Sequence, residues 1–245
     1  MSEALLLDIG NSRVKWARLA GGTLSDHGDC AVAGLTAADL AARLPLPRPP
    51  RALAANVAGE AAAIIVAEAV RMEAGPALEF ITTGVEACGV SNGYRDPGQL
   101  GVDRWLAMIG AWQQLKGPLC VIDCGTAITI DGVDGNGVHI GGMIAPGIEM
   151  MRRSLETGTA GVRPVAELGE GDDFGRSTAE AVQAGTACAA NTLIDQALER
   201  CRRRLGASTQ GVITGGAARQ LNADVMNNCR HIPDLVLRGL ACYAT

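Results

Sequence analysis

Leu5-Leu6-Leu7-Asp8-Ile9-Gly10-Asn11-Ser12 and Cys120-Val121-Ile122-Asp123-Cys124-Gly125-Thr126-Ala127 are two versions of one pattern. Each is an apolar run, then Asp-x-Gly, then short hydroxyl, amide or methyl side chains. A second apolar-rich run follows each, Val14 to Leu19 and Ile128 to Val133. The pattern predicts a strand, a tight glycine turn and a returning strand, built twice. Glycine lets a backbone approach an anion closely, and open N–H groups with short hydroxyls grip it. An Asp at the strand end suits a metal ion or water on the same phosphates. Two such turns facing each other are expected to hold a nucleotide between related lobes.

Working outward, residues 5–9 and 13–19 form the first predicted hairpin. Thr36 begins a short helix over 37–44, with Asp39 in its first turn. Pro45 to Pro50 is a rigid connector. A strand over 51–57, an Ala-rich helix over 59–73 stopped by Gly75-Pro76, and a strand over 77–82 follow. Gly84 to Gly101 is rich in Gly, Asn, Asp and Pro, so it reads as a functional loop or a disordered one. A helix then carries Val102, Trp105, Leu106, Ile109 and Trp112 on one face, which sets Asp103 and Arg104 in its first turn.

The second half opens after Gly117-Pro118 with a meander over 119–123, 127–133 and 137–143, turned at 131–137. Pro146 suits the first turn of a helix over 147–156. Thr157 to Gly175 is a Gly-rich connection. Ser177-Thr178-Ala179-Glu180 is a capping box opening a long helix to about Leu205, closed by Gly206. Gly211 to Ala218 is a strand that breaks at Gly215-Gly216 and restarts as a helix, and 235–237 is a last short strand. The expected class is α/β, with one lobe over 1–115 and another over 116–245. A single doubly wound sheet is disfavoured because each half begins with an antiparallel hairpin.

Composition narrows the function. The chain of 245 residues carries a formal charge of −5, which argues against a nucleic-acid binder. The cluster at Arg200, Arg202, Arg203 and Arg204 closes a helix against its dipole. Eight irregularly spaced cysteines without a C-x-x-C pair predict a reduced, cytoplasmic protein with buried thiols and no structural zinc. The N-terminus lacks a basic region, so no signal peptide is expected, and no apolar run is long enough for a membrane span. Neither a G-x-S-x-G elbow nor a Walker P-loop occurs, which argues against an α/β hydrolase and a Walker NTPase.

Among the remaining candidates, Asp103 suits a kinase base that orients and deprotonates an acceptor hydroxyl, or an acid merely favoured by the helix dipole. Arg104 is an anion fork or a surface ion pair. Lys15 reaches a phosphate or lies on the exposed face of its strand. Thr214 to Ala218 gives a side-chain-free wall for a purine, or a strand-to-helix turn needing glycine. His27, His139 and His231 have no metal-type spacing and read as structural or exposed.

In this order the motifs resemble the type III pantothenate kinases nearly end to end. Asp8 to Lys15 resembles the family's first phosphate motif, and Tyr94 with Gly101-Val102-Asp103-Arg104 its pantothenate segment. Asp123 to Thr129 resembles the second phosphate motif, and Gly141 to Gly147 the interface segment. Ser177 to Glu180 and Thr214-Gly215-Gly216 fall in the expected order. Ser12 stands where many relatives have Thr. The resemblance implies an actin-like fold of two ribonuclease H-like lobes, the acetate and sugar kinase class. It implies ATP-dependent phosphorylation of pantothenate, opening coenzyme A synthesis, with Asp103 as proton acceptor. ATP is assigned to Asp8, Ile9, Gly10, Asn11, Ser12, Arg13, Val14, Lys15 and Thr126, with Gly215 and Gly216 at the adenosine. Pantothenate falls to Tyr94, Gly101, Val102, Asp103, Arg104 and Thr178. Asp123 is the implied ligand of a monovalent cation, potassium or ammonium, and Mg²⁺ accompanies ATP. A homodimer is implied, its acceptor site near the interface and Thr178 coming from the second copy. The rivals are a non-catalytic nucleotide-binding regulator acting through a protein partner, and another small-molecule kinase of the same fold.

Overall fold

The computed structural model describes residues 3–163 and 174–244. The Gly-rich connection over 157–175 lies partly outside them. The described chain divides into two compact units: 1–116 with 136–139 and 234–245, and 117–135 with 140–233.

The first unit begins with β1 (Glu3–Ile9), β2 (Arg13–Ala20) and β3 (Thr23–Ala31). It continues through α1 (Ala37–Ala41), β4 (Ala52–Asn56), α2 (Glu60–Arg71) and β5 (Leu78–Phe80). A small hairpin, β6 (Glu86–Ala87) and β7 (Val90–Ser91), precedes α3 (Val102–Leu115). The sheet order is β3-β2-β1-β4-β5, with β1 antiparallel to β2 and parallel to β4. β1 is buried on both faces, as its unbroken apolar run requires. Leu5, Leu7 and Ile9 join Leu40, Ala62 and Val66 of α1 and α2 in one core, which turns the intervening Leu6 to the other face.

The second unit repeats the plan. β8 (Leu119–Cys124), β9 (Ala127–Val133) and β10 (His139–Pro146) lead to α4 (Ile148–Gly158) and α5 (Thr178–Leu205). β11 (Gln210–Thr214), α6 (Ala223–Asn228) and β12 (Cys229–His231) complete it. The order β10-β9-β8-β11-β12 matches that of the first sheet strand for strand. Cys120, Ile122 and Ile194 belong to its core.

The expected last strand over 235–237 is corrected to a helix, α7 (Leu235–Ala241). Its Leu235, Val236, Leu237, Gly239 and Leu240 are all buried, so no helical period marks the sequence. α7 packs on α3 within the first unit, whereas a division at 115/116 puts it in the second lobe. The crossing is close. A Cβ on Gly110 stands 2.3 Å from the Leu235 carbonyl oxygen, and one on Gly239 stands 2.1 Å from that of Leu106.

Candidate active site

The first Asp-x-Gly turn joins β1 to β2. Ile9 pairs with Val14, and the Gly10 N–H donates to the Arg13 carbonyl at 3.0 Å. Asp8 sits half-buried between Lys15 on β2 and Ala55 on β4. Asn11, Ser12 and Arg13 are exposed at the tip, and Arg13 ion-pairs with Asp29 of β3. Beside this turn, Asn56 at the end of β4 accepts from the Ala58 N–H at 3.0 Å and donates to the Gly59 carbonyl at 3.0 Å. Gly59 has φ +87° and begins α2.

The second turn joins β8 to β9, with Cys124 paired to Ile128 and Gly125-Thr126 between. Two further turns pack on it. The Gly147 N–H, at the start of α4, donates to the Thr126 carbonyl at 3.0 Å, and the Ala217 N–H donates to the Cys124 carbonyl at 2.9 Å. Gly215 has φ +94°, and a Cβ there stands 2.3 Å from the Cys124 carbonyl oxygen and 2.4 Å from Asp123 Oδ1. Only glycine closes this turn over the Asp123 carboxylate. At Gly216 a Cβ meets nothing within 4 Å, so that position borders open space. Burial first, then the Asp123 carboxylate and Cys229, push the Cys124 thiol up to about 12. Cys124 is 2% exposed and packs in the core of the second unit. Asp123, Thr126 and Gly215 thus come together in the second unit, whereas Asp8 to Lys15 lie in the first.

The loop expected to bind the acceptor is built around Asn92. Its Nδ2 donates to the carbonyls of Gly84 and Pro97, both at 3.1 Å, and its Oδ1 accepts from the Tyr94 N–H at 3.0 Å. Thr83 Oγ1 donates to the Leu100 carbonyl at 2.7 Å. These bonds satisfy backbone groups that the irregular loop leaves outside any ladder. α3 then starts at Gly101 without a side-chain cap. Asp103 is half-buried in its first turn, and its Oδ1 accepts from the Arg104 N–H at 2.8 Å. Gly101 has φ −55°, which any residue adopts, yet a Cβ there stands 2.6 Å from Asp103 Oδ1. The glycine at 101 clears space for the carboxylate.

Arg104 is 5% exposed. Its Nη1 donates to the Tyr94 hydroxyl at 2.8 Å, with Cζ 5.5 Å from the centre of the Tyr94 ring. Gly101, Val102, Asp103, Arg104 and Tyr94 therefore form one cluster. Thr178 stands elsewhere in the topology, as the first residue of α5. The capping box expected there is present, Ser177 Oγ accepting from the Glu180 N–H at 3.3 Å. Thr178 helps line a groove of about 480 Å³ with Met151 and Leu155 of α4 and Val182 of α5.

One residue escaped the sequence reading: Asn92 is visible in the sequence only as part of a polar loop. His139, expected to be structural or exposed, is 1% exposed and stacks on Tyr94, a structural placement.

Solved structures of low sequence identity share this fold. A Campylobacter jejuni protein described as a Baf-family transcriptional activator aligns over 96% of this chain and 94% of its own (TM-score 0.60, 22% identity). The PilM–PilN pilus biogenesis complex aligns over 98% of each chain (TM-score 0.56, 13% identity). A Listeria monocytogenes protein described as an N-acetylmannosamine kinase aligns over 99% of this chain and 98% of its own (TM-score 0.50, 14% identity). With its two matching sheets, each carrying an Asp-x-Gly turn, the chain has the actin-like fold of the acetate and sugar kinases.

The particular family follows from sequence. Residues 4–200 match the family model described as type III pantothenate kinase. The type III pantothenate kinase of Nitrosococcus oceani is 36% identical over 97% of this chain and 92% of its own length. That of Halorhodospira halophila is 37% identical over 96% and 95%. The chain belongs to the type III pantothenate kinase family.

Proposed function

We propose that this chain transfers the γ-phosphoryl group of ATP to the primary hydroxyl of pantothenate, giving 4'-phosphopantothenate, the first step of coenzyme A synthesis. Beyond membership of the family, the start of α3 carries the residue-level reading. There the Asp103 carboxylate stands in space that Gly101 leaves clear, beside the Arg104–Tyr94 pair. A phosphoryl-transfer site needs a carboxylate at the acceptor hydroxyl and fixed cationic groups nearby. Asp103 takes the hydroxyl proton as the oxygen attacks phosphorus in line. Arg104 and Tyr94 orient pantothenate, Arg104 supplying positive charge for its carboxylate. The γ–β bridging oxygen leaves with ADP.

In the first unit the Asp8 turn offers exposed Asn11, Ser12 and Arg13 as phosphate donors, and in the second unit the Asp123 turn offers Gly125 and Thr126. Adenosine lies along Gly215-Gly216, where the position of a Gly216 side chain is open. Mg²⁺ and a monovalent cation neutralise phosphate charge when bound. Asp123 fits the monovalent ion. Its half-buried carboxylate lies near the Cys124 carbonyl oxygen, and hard oxygen donors suit potassium, as they do ammonium. Among the described residues no three His, Cys, Asp or Glu side chains cluster as metal ligands.

We place the enzyme in the cytoplasm, on the support of eight free cysteines; among the described residues no helix is long and apolar enough to cross a membrane. A homodimer with Thr178 reaching the acceptor site of the second copy is supported by the position of Thr178 at the α4–α5 groove and by exposed Ile144 of β10 and Met150 of α4.

The test is ADP release by the purified protein with ATP and pantothenate, with and without potassium or ammonium. Asp103→Asn is expected to keep ATP binding and lose about 10²- to 10⁴-fold in kcat. Near-normal turnover by that variant removes Asp103 from the mechanism.

A further inference from the structure

The turn between β9 and β10 leaves the second sheet and docks on the acceptor loop. The Ser91 N–H donates to the Gly137 carbonyl at 2.9 Å, and Val138 forms a parallel bridge with Ser91. Gly137 has φ +87°, and a Cβ there stands 2.1 Å from the Gly89 carbonyl oxygen and 3.2 Å from the Trp112 ring. Residues 136–139 accordingly belong to the first unit although the strands on either side belong to the second.

This backbone clamp fixes where His139 falls. Its ring stacks on Tyr94, with centroids 5.5 Å apart and planes 22° apart. Tyr94 itself is half-buried, its N–H held by Asn92 and its hydroxyl accepting from Arg104. Without the histidine ring, one boundary of the Tyr94 side chain disappears while Arg104 keeps pulling on its hydroxyl.

We propose that His139 is a positioning residue for the acceptor site: by stacking on Tyr94 it fixes the phenol that accepts from the Arg104 guanidinium. The inference rests on the assignment of Tyr94 and Arg104 to pantothenate. His139 is 1% exposed, so its route to the acceptor runs through Tyr94. It acts by restricting Tyr94, so its loss shows in acceptor affinity before it shows in nucleotide affinity.

The experiment is steady-state kinetics with each substrate varied in turn, on His139→Ala, His139→Phe and His139→Gln. Aromatic stacks of this geometry are worth about three- to tenfold in an equilibrium constant, and mispositioning of Tyr94 adds to that. His139→Ala is expected to raise KM for pantothenate by about tenfold while KM for ATP stays within about twofold. His139→Phe, which keeps a ring, restores the pantothenate KM; His139→Gln, which keeps polarity and bulk, does not. In a Tyr94→Leu background the replacement of His139 has no further effect, because the residue it acts through is gone. Rescue by Gln in place of Phe, equal losses for both substrates, or full additivity with Tyr94→Leu overturns the inference. If His139→Ala does not fold, the contrast between Phe and Gln decides alone. A wild-type protein that leaves pantothenate unphosphorylated overturns the functional reading itself, whereas an active one indifferent to all three changes overturns only the role of His139.

Discussion

Replacing Gly101 with Ala isolates the geometry of the proposed base from the stability of the fold. The backbone at 101 has φ −55°, so alanine adopts it without strain. Its Cβ, however, lies 2.6 Å from Asp103 Oδ1, and ordinary contact begins near 3.4 Å. The oxygen therefore retreats by about 0.8 Å, the shortfall in that contact. It also weakens its bond from the Arg104 N–H, now 2.8 Å. The moving atom is the end of a side chain, so the fold gives little resistance. Alanine in place of glycine restricts the unfolded chain, a gain of about 0.4–1 kcal/mol, and alanine is the poorer N-cap by about 0.5 kcal/mol. These nearly cancel, and the melting temperature stays within about 3 °C. Catalysis does not cancel, since a misplacement approaching 1 Å at a reacting group costs up to about 10²-fold. Expected is a kcat lower by about 10- to 100-fold, equivalent to about 1.4–2.7 kcal/mol of barrier, with KM for ATP unchanged. Coupled ADP-release kinetics and a thermal melt on the same preparation measure both quantities. A variant of unchanged melting temperature with kcat within twofold of the wild type refutes the placement of Asp103 as base.

Three further outcomes follow from the same geometry. Gly215→Ala combines φ +94° with contacts of 2.3 and 2.4 Å to Cys124 and Asp123; it is expected to cost more than about 2 kcal/mol and to weaken ATP binding in a nucleotide titration, and unchanged affinity refutes the role of that turn. Gly110→Ala and Gly239→Ala force α3 and α7 apart against backbone oxygens; overpacking outweighs the gain in helix propensity, costing about 1–3 kcal/mol of stability and lowering the urea midpoint, and a raised midpoint refutes the crossing. Burial pushes the thiols of Cys124 to about 12 and of Cys229 and Cys242 to about 11, from 9.0. Below pH 9 these groups are protonated in both folded and unfolded chains. Above it the unfolded chain releases protons first, so stability falls from pH 9 through 12, and urea unfolding across that range on Cys124→Ala is expected to show a shallower decline than the wild type.

What the sequence discloses depends on whether an element's burial leaves a pattern that only one kind of element produces. β1 and β8 are flanked by neighbours on both edges and covered on both faces; their apolar runs and Asp-x-Gly endings are visible without a structure. β3 is an edge strand whose Asp26, His27, Gly28 and Asp29 carry no alternation, so nothing in its composition announces pairing. α7 fails for the opposite reason, being buried on nearly every side. The site divides along the same line. Asp103 and the two turns are legible because their chemistry is local: a carboxylate in a first helical turn, a glycine beside an acid. Arg104 is legible as a residue, but its engagement with Tyr94 and near-complete burial depend on contacts ten residues apart. His139 is further still from Tyr94 in sequence, and no spacing rule joins a meander turn to the loop before α3.

The matching strand orders set the two Asp-x-Gly turns in equivalent places. A glycine turn at the end of any strand is a weak phosphate signal, because hairpins need such turns for their own closure. Here both turns fall on the central strand of a five-stranded sheet, at the edge where an antiparallel partner gives way to a parallel one. In each unit the parallel neighbour ends in a second glycine turn at the same level, Asn56 to Gly59 beside Asp8 and Thr214 to Ala217 beside Asp123. That is the carboxyl end of the parallel strands, where the strand order changes direction and open α/β sheets place their ligands. An ordinary hairpin explains either Asp-x-Gly turn alone. It does not explain why both acquire the same neighbour, or why the second neighbour uses a positive-φ glycine to stand over the acid.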